Sequence, residues 1–127
     1  MKPRVANGGA RRGAGLYHSF ARDSFTVFCA NPKTFAQHSA GHFVQINRLF
    51  SDSVIPTKYA ELSGLSASVA AKCEYCILHH TTMAKKAGAT EEEIKTAIMI
   101  AAEMMRMSAL LYGNQFSLEQ LKSMYAE

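Results

Sequence analysis

Two cysteines with two residues between them, Cys73 and Cys76, and a histidine four positions later, His80, form the one stretch of this chain whose side chains could do chemistry together. Thiols at that spacing can close a disulfide within one helical turn, hold a soft metal, or do both at different times. On a helix, Cys73, Cys76 and His80 fall at i, i+3 and i+7, which places all three on one face. The histidine can then take a thiol proton or stabilise the thiolate. A free thiol with a pKa of about 8.5 is only a few per cent ionised at neutral pH, and lowering it to about 7 makes roughly half of it nucleophilic. Such a shift is worth about 2 kcal/mol, within reach of a helix N-terminus and one charged neighbour.

The elements that must carry these residues read as helices. Asn31-Pro32 is a helix start, with Asn as N-cap and Pro at the first helical position. Phe35, Ser39, His42, Phe43, Ile46, Leu49 and Phe50 then recur at three- and four-residue spacing until about Ser51, making one apolar face. His38, His42 and the phenylalanines of that helix could line a substrate pocket, but core packing is the preferred reading. Asp52-Ser53 is a turn and Pro56 opens the next helix, where Leu62, Leu65, Val69, Cys73, Cys76, Ile77 and His80 trace a stripe expected to face the core. The run from Thr57 to Lys86 is long for one globular helix, so a break is expected near Ala71 to Cys73, placing the cysteine pair at a new helix N-terminus. Gly88 supplies a stop, and Thr90-Glu91-Glu92-Glu93 is a capping box that opens a helix to about Tyr112. That helix carries Ile94, Ile98, Ala101 and Met105 on one side and Met99, Met107 and Leu111 on others, which predicts a subunit interface in addition to a core contact. Ser117 to Gln120 repeats the cap pattern before a short final helix, and another short helix is expected from Leu16 to Phe28. No stretch alternates with period two.

Composition bounds the rest. With 127 residues, 48% of them hydrophobic, one domain is expected at residues 17–127, preceded by an unstructured basic arm at 1–16 that is rich in Gly and Arg. The net charge of +4 comes from that arm: Lys2, Arg4, Arg11 and Arg12 lack acidic partners there, and the other basic residues match the ten acidic ones. It reads as a solvated tail, and no nucleic-acid partner is expected. Three cysteines without a signal-peptide pattern make no disulfide framework, so a reducing, cytoplasmic compartment is expected. No run of 18 apolar residues exists, and no membrane partner is expected.

A Cys-x-x-Cys pair by itself leaves several readings open. A structural zinc site wants four ligands, and the local set here is Cys73, Cys76 and one of His79 or His80. A thioredoxin fold needs strands that this pattern does not offer. Both cysteines could also be inert core residues, as Cys29 between Phe28 and Ala30 is expected to be.

Glu61, twelve positions before Cys73 and followed by Cys73-x-x-Cys76-x-x-x-His80, resembles the signature of the AhpD-like alkylhydroperoxidases within the carboxymuconolactone decarboxylase superfamily. The similarity runs from about Asn31 to Tyr112 and takes in Lys-Lys-Ala-Gly-Ala-Thr-Glu-Glu-Glu-Ile. The resemblance implies an all-α fold of about six helices, and a homo-oligomer, often a trimer or a ring of six. It implies that Cys76 attacks a hydroperoxide, His80 accepts its proton directly or through a water, Glu61 orients and charges that histidine, and Cys73 resolves the sulfenic acid to a disulfide. The reductant it implies is a dithiol such as dihydrolipoamide, carried for example on a lipoyl protein, with no metal, flavin or other cofactor in the cycle.

One position departs from the pattern. Peroxidases of this group carry a second histidine just before the attacking cysteine, where this chain has Tyr75. With a pKa of about 10, tyrosine is no base at neutral pH, which implies slower proton transfer. His79 is adjacent in sequence, but on a helix it points about 100° away from His80. The readings that compete with a peroxidase are a general thiol-disulfide oxidoreductase of the same fold and a non-catalytic metal-binding or structural helical protein.

Overall fold

The computed structural model describes residues 32–126. They form five helices, α1 (Lys33–Ser51), α2 (Thr57–Ala70), α3 (Glu74–Lys86), α4 (Glu91–Gly113) and α5 (Leu118–Ser123), with no strand among the described residues. The expected helix from Leu16 to Phe28, the basic arm and Cys29 lie outside that range. No helix of the described residues is long and apolar enough to cross a membrane.

Both proline starts shift by one residue. Pro32 and Pro56 occupy the N-cap positions with ψ of 140° and 138°, and Lys33 and Thr57 are the first helical residues. The fixed proline φ suits an extended residue as well as a helical one, and each proline carbonyl accepts a first-turn bond, from Phe35 N–H at 2.8 Å and Tyr59 N–H at 2.9 Å. The two polar starts form as expected. Thr90 and Glu93, and Ser117 and Gln120, exchange reciprocal side-chain to backbone bonds, so orphan N–H groups are satisfied at the heads of α4 and α5.

The break between α2 and α3 falls where expected, and its geometry is specific. Lys72 takes a left-handed φ of 55°, its N–H bonds to Val69 O, and the Cys73 N–H reaches back to Ser68 O. This is a Schellman turn with lysine in place of the usual glycine. α3 ends the same way at Gly88 (φ 90°), with Gly88 N–H to Lys85 O and Ala89 N–H to Ala84 O. α4 closes through a left-handed Gln115 at φ 53°.

The core lies between α2 and its two main neighbours, α3 and α4. Leu65, Ile94 and Ala97 are buried together, with Leu62, Val69, Ile77 and Ala89 packed around them. Polar ties fix the same interface: Ser66 Oγ donates to Ala97 O at 2.8 Å, and Lys58 Nζ meets Glu93 Oε1 at 2.7 Å. α1 packs lightly on α2. Its expected apolar face is mostly exposed, with Phe35 and Leu49 both more than half accessible, and Asn47 is buried. α4 is likewise apolar where no described residue covers it, at Met99, Ile100, Met104 and Leu110. Replacing the fully buried Leu65 with Ala should cost about 2–5 kcal/mol, read as a lower denaturant midpoint at unchanged slope.

Candidate functional site

Glu61 lies early in α2 with no solvent exposure, an expensive place for a carboxylate unless a partner meets it. The partner is His80 of α3, whose Nδ1 lies 2.8 Å from Glu61 Oε2. An ionised carboxylate only accepts, so Nδ1–H donates, and where the ring is neutral Nε2 is left as its acceptor. The second carboxylate oxygen, Oε1, is buried with no hydrogen-bond partner.

The close approach of the ring to α2 is made possible by a missing side chain. A Cβ at Gly64, one turn beyond Glu61, would lie 2.7 Å from two atoms of the His80 ring. Phe50 of α1 supplies another wall, its ring centroid 5.2 Å from that of His80. His79 supplies a further one, edge-on at 4.9 Å. Burial, with the His80 charge adding to it, pushes the His79 pKa down, so its ring is held neutral at neutral pH. One oxygen of Glu61 and one nitrogen from each histidine lie within 4.8 Å of one another, a donor set that could hold a cation.

The cysteines sit at the start of α3. Cys73 is its N-cap, and its sulfur accepts the backbone N–H of Cys76 at 3.3 Å. The Cys76 side chain beside it lowers the Cys73 pKa, with the Cys76 and Tyr75 backbone N–H groups helping. The same contact pushes Cys76 up, aided by burial and the Cys73 charge. The two thiols therefore titrate as a unit. Both thiols are free; Cys73 is half-buried and Cys76 exposed. The expectation that the stripe faces the core thus holds for Leu65 and largely for His80, and fails for the exposed Cys76, because the chain reverses at Lys72 and restarts the helical count. No hydrogen bond joins His80 to either thiol.

Of the expected site residues, Glu61 and His80 are in direct contact, and Cys73 and Cys76 are in direct contact. Gly64 has no signal in the sequence that marks it as a site residue, and Phe50 is one of the phenylalanines for which core packing is the preferred sequence reading. Gly64 sits at i+3 from Glu61 and faces the same way, a signal that only a known Glu61 partner makes readable. An open groove of about 630 Å³ between α2 and α4, lined by Tyr59, Leu62, Ser66, Thr96, Ala97 and Ile100 among others, includes none of the four.

An all-helical domain in which a cysteine pair begins one helix and a buried carboxylate from the preceding helix holds that helix's histidine defines a recognisable class. The chain belongs to the carboxymuconolactone decarboxylase family, whose model matches residues 44–116. This agrees with the AhpD-like resemblance at the level of superfamily and fold. The chain is also similar to a protein of Paracoccus denitrificans described as "Uncharacterized protein 4 in cox locus", 31% identical over 67 residues, which is 53% of this chain and 60% of that protein. No solved structure matches it significantly.

Two outcomes follow from the geometry. Gly64→Ala should destabilise the fold by about 1–3 kcal/mol and shift the His80 ring resonances in NMR, whereas Gly41→Ala, with nothing within 4 Å, should be neutral or stabilise by up to about 1 kcal/mol. Iodoacetamide should modify Cys73 at a lower pH than an ordinary thiol. In Cys76→Ala the Cys73 profile should move to higher pH, because the side chain that chiefly lowers it is gone, and in Cys73→Ala the Cys76 profile should move to lower pH.

Proposed function

We propose that this protein is a thiol-dependent peroxidase that reduces hydroperoxides through a Cys73–Cys76 dithiol/disulfide cycle. The observation that supports this best is the pair of neighbouring cysteines at a helix N-terminus, one of them exposed. Cys76, the accessible member, attacks the peroxide as thiolate; a sulfur–oxygen bond forms, the O–O bond breaks, and the departing alkoxide takes a proton and leaves as alcohol. Cys73 then attacks the sulfenic sulfur of Cys76, expelling water and closing the disulfide. A dithiol of the dihydrolipoamide type returns two electrons and two protons. His80 takes the Cys76 proton through a water, since its hydrogen bond in this structure goes to Glu61, and Glu61 holds the ring so that Nε2 is the basic atom.

A second reading, general thiol-disulfide exchange, is favoured by one observation. The more acidic thiol is Cys73 at the N-cap, the position from which a nucleophile attacks an incoming disulfide. The two readings assign opposite cysteines to the first step. Reduced protein given one equivalent of an organic hydroperoxide should lose two thiols per chain and regain them with dihydrolipoamide. Cys76→Ser should lose this reaction, and His80→Gln should slow it roughly 10²-fold or more. Peroxide consumption that survives in Cys76→Ser, together with faster reduction of a model disulfide that depends on Cys73, would move the assignment to the second reading.

The uncovered apolar residues of α1 and α4 support a homo-oligomer, a trimer or hexamer, and free thiols fit a reducing compartment such as the cytoplasm. Sedimentation should give a mass well above the 13.9 kDa chain, and a monomer at micromolar concentration would refute the oligomer.

A further inference from the structure

The geometry points to a second use of the buried couple: Glu61, His79 and His80 form a three-ligand site for a divalent transition cation of the zinc type, separate from the cysteines. Three observations converge on it. The donor atoms of the three side chains already lie within 4.8 Å of one another. Glu61 is fully buried, yet its Oε1 has no hydrogen-bond partner, so a carboxylate with one unsatisfied oxygen faces the interior of the protein. The two imidazole rings stand edge to face at 4.9 Å, both partly accessible, so a cation can enter from their side.

The fit can be judged from bond lengths. Metal–nitrogen and metal–oxygen bonds of about 2.0–2.2 Å place the donors of a tetrahedral site about 3.4 Å apart. The longest donor separation here must shrink by roughly 1.4 Å on that basis, and the 2.8 Å Glu61–His80 contact must open slightly. Rotation of the partly accessible His79 ring supplies the larger movement, while Glu61 and His80 stay on α2 and α3. Two imidazoles and a carboxylate suit first-row divalent ions such as Zn²⁺, Co²⁺ or Fe²⁺ and not Mg²⁺ or Ca²⁺, which take oxygen ligands. Three protein ligands leave a fourth position for water or a small anion. The cysteines fall outside this donor set and are occupied with each other. A cation on His80 either takes the nitrogen that would accept a proton or removes the carboxylate that orients the ring, so metal loading and proton transfer by His80 exclude one another.

The test is a titration of the full-length reduced protein with Co²⁺ under anaerobic conditions, followed by visible absorption. One Co²⁺ per chain is expected, with the ligand-field bands of a four- or five-coordinate ion, no sulfur-to-cobalt charge-transfer band, and displacement by Zn²⁺. The spectrum should persist in the Cys73→Ser/Cys76→Ser double variant. Affinity should fall at least tenfold in His79→Ala and in Glu61→Gln, which keeps a hydrogen-bond acceptor for His80. A charge-transfer band that vanishes in the double variant would overturn the proposal by placing the metal on the cysteines. Absence of Co²⁺ binding by the wild-type protein would overturn it as well, whatever the folding of the variants.

Discussion

A carboxylate with no access to water has to be met by something inside the protein, and the Glu61–His80 contact is how this fold does it. Breaking it would leave a buried charge alone, which is strongly unfavourable, so everything that keeps the two residues 2.8 Å apart is under the same constraint. α2 must run close to α3, which requires Gly64 to lack a side chain where the imidazole lies. α3 must return antiparallel along α2, which requires the chain to reverse within a few residues at Lys72. The apolar core of Leu65, Ile94 and Ala97 and the Lys58–Glu93 and Ser66–Ala97 ties then hold α4 against α2 as well. The site is thus a property of the α2–α3 hairpin, with Phe50 of α1 as a lid on the ring.

The polar starts and stops of the helices were legible because they are local. A capping box involves four consecutive residues, and both boxes formed where Thr90 and Ser117 announce them. The break before Cys73 was legible from length alone, although Lys72 carries no mark of the left-handed conformation it adopts; that is imposed by the neighbouring helices. The prolines misled by one residue because their ring permits both an N-cap and a first-turn position. The apolar spacing of α1 was read as a core face, yet Phe35 and Leu49 are exposed in this chain, since periodicity identifies a face without saying what covers it.

The site was legible in its residues and opaque in its arrangement. Glu61 and His80 lie nineteen positions apart, and nothing in composition pairs them; the family resemblance supplied that link. His79 was set aside on the angle between adjacent helical positions, but a ring reaches several ångströms from the axis, and two neighbouring imidazoles meet edge to face despite diverging Cα–Cβ bonds. The stripe of Cys73, Cys76 and His80 ignored the reversal at Lys72. A face defined on one continuous helix does not survive a turn that restarts the helical count, so Cys76 emerges into solvent while His80 remains inside.

The turn at Lys72 gives Cys73 two structural duties at once. Its N–H closes α2 by bonding to Ser68 O, and its sulfur begins α3 by accepting the Cys76 N–H. A thiolate is a better acceptor for that N–H, and a better counter-charge for the positive end of a helix, than a thiol or a sulfur tied into a disulfide. The acidity of Cys73 and the strength of the first turn of α3 are therefore one quantity measured from two sides. A change of charge on this sulfur would therefore act on the first turn of the helix that carries His80, and so on the backbone as well as the side chains.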